Sequence, residues 1–283
     1  MRTLTLKVAG SPLAVDIIDA ARPTGRPPVL LIHGWGGSGR YWRGTVERLR
    51  EQFSLIVPDL PGVGRSLPVR EPYDMAMHVN ALEALLAQLA VERVQVVGHS
   101  MGGGIALLLA ARRPALVERL ALTAISLFRS DGERWFFRQV TELAGLMMRM
   151  RAPWMADLPF LTRQFATRFF YQVPSDAQLL REGFLDYLQM DHATAVASAR
   201  SATSPAIPEA AKRIQAPTLL VAARNDQVMP PANVPFTRDL IPGCQVRWIE
   251  RCGHLPMVEQ PDEYVAILRE FLGRGNASTD DRG

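Results

Sequence analysis

Six short, predominantly apolar runs, at residues 29–32, 55–57, 94–97, 120–125, 218–222 and 246–249, constrain the fold more than any other feature of this chain. A strand with one wet face alternates polar and apolar residues, whereas a run this continuous belongs to a strand covered on both faces, as in a parallel sheet between helices. Helical patterns fill the gaps. Asp74 is placed to cap a helix whose apolar residues Met75, Val79, Leu82, Leu85, Leu86 and Leu89 recur at three- and four-residue steps. Others are expected over 42–52, 101–113, 232–240 and 261–272. Strand–helix alternation implies right-handed crossovers. The expected fold class is therefore α/β, a mostly parallel doubly wound sheet with flanking helices. Ahead of it, Leu4, Leu6, Val8 and Leu13, Val15, Ile17 alternate around Gly10-Ser11-Pro12, the pattern of an antiparallel hairpin.

One segment breaks the rhythm. Residues 126–212 contain no strand-like run, only helical stretches punctuated by Pro153, Pro159, Pro174, Pro205 and Pro208. An insertion between two sheet strands is expected to form a helical cap over the sheet's carboxyl edge. The division is then a core of residues 1–125 and 213–272, a cap of 126–212, and a polar, flexible tail of 273–283. The cap carries Trp135, Phe136, Phe137, Met147, Met148, Met150, Trp154, Met155, Phe160, Phe165, Phe169, Phe170 and Tyr171. Most of these are expected to pack the cap onto the core, and the rest to line an apolar pocket.

Composition excludes several classes. With 48% hydrophobic and 21% charged residues the chain is not of disordered type. Its net charge of +4 is spread without a basic run, so nucleic acid is not an expected partner. Residues 1–10 lack the apolar stretch of a signal peptide. The most apolar long window, 140–161, is interrupted by Glu142, Arg149, Arg151 and Asp157, so no membrane span is expected and the expected location is cytoplasmic. Cys244 and Cys252 flank an apparent strand that would hold them on the order of 25 Å apart, which makes them free thiols.

The chemistry is concentrated in Gly98-His99-Ser100-Met101-Gly102. This G-x-S-x-G pentapeptide joins an apolar strand directly to a helix, the context in which the serine stands exposed on a strained turn. Serine needs a base, and His254, in Gly253-His254-Leu255-Pro256 after the last expected strand, is placed to supply one. A carboxylate should orient that imidazole. Asp226, 28 residues before His254 and just after the 218–222 run, is the first choice, and Asp131, after the preceding strand, is the rival. An oxyanion hole needs two N–H donors. These are expected from Met101, following the nucleophile, and from Trp35 in the turn His33-Gly34-Trp35-Gly36-Gly37. His33 is expected to hold that turn by hydrogen bonding, His99 to pack beside the elbow, and His78 and His192 to be ordinary helix histidines.

Taken together, the blocks 33–37, 59–66 (Asp-Leu-Pro-Gly-Val-Gly-Arg-Ser), 98–103, Asp226 and 253–254 resemble the α/β-hydrolase superfamily, and most of all its esterase, haloperoxidase-like and epoxide-hydrolase-like members. The resemblance covers about residues 1–125 and 213–272, and the insertion matches only in being a helical cap. It implies a serine hydrolase that cleaves carboxylic esters of small to medium hydrophobic acyl chains through an acyl-enzyme, with no cofactor or metal. The 59–66 block is read as structural. Members that process haloalkanes or epoxides carry aspartate at the elbow, where this chain has Ser100. Two alternatives stay open: a carbon–carbon bond hydrolase of ring-fission products, for which Arg134, Arg138, Arg163 and Arg168 in the cap would be substrate-gripping candidates, and a non-catalytic ligand receptor of the same fold. Oligomeric state is not legible.

Overall fold

Strands dry on both faces need two helical layers, and the chain supplies them around a single eight-stranded sheet. The structure, a computed structural model, describes residues 1–22 and 25–274. The strands are β1 (Arg2–Val8), β2 (Ser11–Ile18), β3 (Val29–Ile32), β4 (Leu55–Pro58), β5 (Val94–His99), β6 (Val117–Thr123), β7 (Thr218–Ala223) and β8 (Gln245–Ile249), in the spatial order β1-β2-β4-β3-β5-β6-β7-β8. The β1–β2 and β2–β4 pairings are antiparallel and the other five parallel. Every residue of β3, β4, β5 and β7 is buried. The last apolar run behaves differently: β8 is an edge strand, and Gln245 and Arg247 face water.

Helices α1 (Arg43–Leu49), α2 (Met75–Gln88) and α3 (Met101–Arg112) follow the first strands. Between β6 and β7 come α4 (Asp131–Met147), α5 (Pro159–Ala166), α6 (Ala177–Gln189), α7 (His192–Ser201) and α8 (Ala206–Ala211), with no strand among them. Then α9 (Val234–Leu240), α10 (Pro256–Glu259) and α11 (Pro261–Leu272) complete the described chain. Side chains alternate across the sheet as a pleat requires. Leu30, Ile32, Val94, Val96 and Leu220 join α2, α3 and α9 in one core, while Val29, Leu31, Val97, Leu219 and Val221 join α1 and α11 in the other.

Local expectations hold with small shifts. Asp74 caps α2, its carboxylate accepting the Met77 N–H at 2.8 Å. The hairpin turn is Ala9-Gly10, both at positive φ (46° and 80°), rather than Gly10–Pro12. Pro12 lies in β2 beyond the Val15–Ile18 stretch paired with β4, so its missing N–H breaks no ladder there. Helix α1 is shorter than the 42–52 pattern because a 3₁₀ turn over Gly39–Trp42 comes first and buries Trp42 completely. Cys244 and Cys252 are free thiols, and burial pushes the Cys244 thiol up to about 11. From residue 275 onward the expected tail lies outside the described residues.

The 59–66 block ties the sheet to the turns above it. Asp59 is buried, and its carboxylate accepts N–H bonds from Gly39 (2.9 Å) and Arg65 (2.9 Å) and a 2.8 Å bond from the Arg65 guanidinium, which also reaches Asp16. The Ser66 hydroxyl donates to the Asp59 carbonyl (2.6 Å) and accepts from the Ala14 N–H (2.8 Å), fastening the block to β2. Burial opposes ionisation of Asp59, but the Arg65 bonds and the nearby His33 outweigh it and hold its pKa below the usual carboxylate value. The stabilisation this provides is fully present above pH ~4 and is lost as pH falls from there toward the depressed folded pKa. Asp59→Asn should therefore lower unfolding free energy at pH 7 by about 1–3 kcal/mol and flatten the acid limb of the stability profile, measured by urea titration between pH 3 and 7.

Candidate active site

The sharpest turn in the molecule lies where β5 becomes α3. Ser100 sits there at φ 53°, ψ −120°, a left-handed conformation that costs a non-glycine residue of order 1–3 kcal/mol. Neighbouring backbone fixes it: the Ser100 N–H donates to the Thr123 carbonyl (2.9 Å) and the Gly103 N–H to the Ser100 carbonyl (2.8 Å). Glycines on both sides are obligatory for steric reasons. A Cβ at Gly98 would meet the Gly102 carbonyl oxygen at 2.4 Å, and one at Gly102 the Ile32 carbonyl oxygen at 2.4 Å.

His254 and Asp226 come together at the same edge of the sheet. His254 Nδ1 donates to Asp226 Oδ2 at 2.8 Å, with both side chains buried. The other carboxylate oxygen, Oδ1, accepts the N–H groups of Val228 (2.7 Å) and Met229 (2.9 Å), so the acid cannot swing away. This arrangement fixes the proton on Nδ1 and leaves Nε2 as an acceptor. The rival, Asp131, is the first residue of α4, exposed and paired with Arg134. It takes no part in the site.

Ser100 and His254 line one cavity of about 430 Å³, together with Gly34, Trp35, Tyr41 and His99 from the core. Its apolar wall comes from the later part of the insertion: Phe165 and Phe169, then Leu179, Leu180, Phe184 and Tyr187. The Phe165 ring packs against the rings of Phe169, Phe184 and Tyr187 at centroid distances of 4.6–4.9 Å. The cap aromatics and methionines expected to pack inward or line a pocket divide in three. Phe165, Phe169 and Phe170 line the cavity, Met148 joins the core with Phe137 and Met155 half-buried, but Trp135, Phe136, Met147, Met150, Trp154, Phe160 and Tyr171 are exposed.

Of the two expected oxyanion donors, Met101 is buried as the first residue of α3, where an amide has no acceptor within its own helix. Trp35 lines the cavity, and its indole N–H is engaged by the Ala195 carbonyl at 2.9 Å. No backbone hydrogen bond from the Trp35 amide forms among the described residues. The neighbouring Gly34 N–H is taken by the Tyr41 hydroxyl. His33 holds the turn: its Nε2 accepts from the Leu60 N–H (2.8 Å) and its Nδ1 therefore donates to the Gly34 carbonyl (2.9 Å). Burial lowers the His33 pKa, in keeping with that neutral tautomer.

Three further groups bind the loops of the site together: His99, expected only to pack beside the elbow, and Tyr41 and Glu259, which carried no signal in the sequence. His99 donates from Nε2 to the His254 carbonyl (2.8 Å), so its Nδ1 accepts from the Tyr41 hydroxyl (3.0 Å), which in turn accepts from Gly34. Burial and the neighbouring His254 push the His99 pKa well down, and burial pushes that of Tyr41 up, so both stay neutral. Through these two side chains the His33–Gly37 turn and the loop of His254 are one hydrogen-bonded unit. Glu259 is the third. Its carboxylate accepts N–H bonds from Gly253 (2.8 Å), Tyr171 (3.1 Å) and Gln172 (2.6 Å), while the His254 N–H donates to the Phe169 carbonyl (2.6 Å). The cap is thereby sewn to the loop that carries His254. A second tie is the Ser38 hydroxyl donating to the buried Asp186 of α6 at 2.6 Å. Among the described residues no cluster of three His, Cys, Asp or Glu is placed to hold a metal ion.

The family model for the alpha/beta hydrolase fold matches residues 27–261, and the chain belongs to that family. It is 30% identical over 258 residues to lipase 1 of Psychrobacter immobilis, covering 86% of this chain and 76% of the lipase. It is also 30% identical over 261 residues to an uncharacterised protein of Mycobacterium tuberculosis, covering 87% of this chain and 75% of that one. Among solved structures, a thermophilic esterase from Thermogutta terrifontis superimposes with a TM-score of 0.79 at 23% identity, covering 96% of this chain and 98% of the esterase. Fold and relatives together make the protein a hydrolase.

Removing the Tyr41 hydroxyl leaves the Gly34 N–H without its acceptor and His99 Nδ1 without its donor. Tyr41→Phe should cost about 1–2 kcal/mol of stability and lower kcat about tenfold by displacing the turn, with KM little changed. Thermal melts and steady-state kinetics on one variant check both.

Proposed function

We propose that the protein is a serine esterase that cleaves carboxylic esters of hydrophobic acids through an acyl-enzyme, with Ser100 as nucleophile, His254 as general base and Asp226 as its orienting carboxylate. The observation that carries this reading is the buried 2.8 Å bond from His254 Nδ1 to Asp226 Oδ2, which leaves Nε2 unprotonated in the cavity that Ser100 lines. His254 takes the Ser100 proton as Oγ attacks the ester carbonyl. The Met101 and Trp35 N–H groups hold the oxyanion, His254 returns the proton to the departing alcohol, and water repeats the sequence to free the acid. Asp226 holds the ring in place and stabilises the imidazolium.

The cavity supports an acyl chain in preference to a ring-fission product. Its wall is mainly aromatic and aliphatic, and none of Arg134, Arg138, Arg163 or Arg168 lines it. The arginines it does contain, Arg40, Arg43 and Arg48, are committed to Asp186, Glu182 and Asp262.

Ser100→Ala should abolish covalent labelling by a fluorophosphonate and reduce ester turnover by several orders of magnitude while the thermal midpoint is kept. Labelling that persists in the variant would remove Ser100 from the chemistry. Asp226→Asn should lower kcat about 10⁴-fold by favouring the wrong imidazole tautomer, and Asp131→Asn should be silent.

Against nitrophenyl esters of increasing chain length, kcat/KM should climb about three- to fourfold per methylene until the cavity is full. A steady decline from acetyl upward would contradict the hydrophobic acyl site.

A further inference from the structure

Helix α4 is built inside out. Its polar and small residues face the protein: Glu142 pairs with Arg200 of α7, the Gly145 carbonyl meets His192 Nε2 at 2.9 Å, and a Cβ on Gly145 would lie 3.0 Å from Val196. Its large apolar residues face water. Trp135, Phe136, Val140, Leu143, Leu146 and Met147 are each 48–65% exposed. At 3.6 residues per turn they share one arc of about 140°, interrupted only by Gly132 and Gln139. The chain then carries Met150, Trp154 and Phe160 outward as well, each more than 60% exposed. Residues 131–160 thus hold ten of the twelve exposed large hydrophobic side chains among the described residues. A surface helix of a water-soluble domain has the opposite polarity, and an apolar concentration of this kind marks a contact surface.

Charge identifies the occupant. The acids of this stretch are all neutralised within the protein: Asp131 by Arg134, Glu133 by Arg129, Glu142 by Arg200 and Asp157 by Arg181. Arg149, Arg163 and Arg168 are exposed and form no ion pair among the described residues. Large aromatic and aliphatic side chains with the uncompensated Arg149 directly after them, and Arg163 and Arg168 further along the chain, fit the boundary between anionic headgroups and acyl chains. A second copy of the chain fits less well, because a two-fold contact would bring the same unpaired arginines of both copies together. No helix among the described residues is long and apolar enough to cross a bilayer, so the contact is one that lies on the surface. We infer that the α4 face of the cap, with residues 150–160, is a docking surface for an anionic lipid bilayer.

The full-length protein should co-sediment with phosphatidylcholine vesicles that contain phosphatidylglycerol, and much less with phosphatidylcholine alone. Binding should shift Trp135 and Trp154 fluorescence to the blue. The combined variant Phe136→Ser, Leu143→Ser, Met147→Ser alters exposed positions only and should keep its thermal midpoint, yet lose about a hundredfold or more in partitioning. Arg149→Gln with Arg163→Gln should lose about fivefold per charge on the anionic vesicles and leave the weak binding to phosphatidylcholine unchanged. Absence of binding to either vesicle would overturn the proposal, as would partitioning that the triple variant leaves intact. So would a dimer in sedimentation velocity that the triple variant dissolves, if no vesicle binding accompanies it, since the face would then belong to a second copy. None of these readouts depends on turnover, so they stand or fall apart from the esterase assignment.

Discussion

The site depends on how closely α3 can approach the sheet. With no side chain at Gly98 or Gly102, the first turn of α3 lies against the carbonyls of Ile32 and His33 at the end of β3. That contact sets the distance between the His33–Gly37 turn, which leaves β3, and the serine, which leaves β5. A methyl group at either glycine would push the helix away by more than a flexible side chain could absorb, because each obstructing atom belongs to backbone. The strain at Ser100 is a consequence of the same geometry. It is sustained because the bonds to Thr123 and Gly103 leave the residue no relaxed alternative.

Once the elbow is fixed, His99 is aimed into the sheet edge beside it, and the rest of the site is hung from that imidazole. Only a neutral ring can donate to the His254 carbonyl and accept from Tyr41 at once, and burial enforces neutrality. The two imidazoles stand 4.7 Å apart between centroids, with opposite tasks. His99 is held in one protonation state, and His254, tied to Asp226, is left with a nitrogen open to the cavity.

The sheet and the elbow were legible because they rest on local pattern: continuous apolar runs, and a glycine-flanked serine between a strand and a helix. The bond between Asp226 and His254 was legible from the place of Asp226 after the 218–222 run and before His254, whereas Asp131 lies exposed and bonded to Arg134. Tyr41 and Glu259 were not legible. Tyr41 bridges the Gly34 N–H to His99, and Glu259 joins the Gly253 N–H to those of residues 171 and 172, and nothing in the spacing of a lone Tyr or Glu marks such bonds. The β8 edge was read as dry on both faces because four residues are too few to separate a buried strand from an edge strand whose apolar groups cover only one side.

The cap shows a deeper limit of pattern. A 3.6-residue apolar period says that a helix has two unlike faces, and the sequence reading assumed that the apolar one turns inward. In α4 it turns outward, and the decision is made by residues on the other face: Glu142 finds Arg200, and Gly145 admits α7 to close range. The second half of the insertion obeys the usual rule, with Phe165, Phe184 and Tyr187 stacked around the cavity. One insertion therefore carries two apolar surfaces, one closed over Ser100 and one presented to the outside. They are separable in energy because the inner half is sewn to the histidine loop through Glu259 and Phe169, whereas the outward apolar side chains of α4 are 48–65% exposed. Substitutions on the outer surface can thus change where the protein sits without altering the geometry around Ser100.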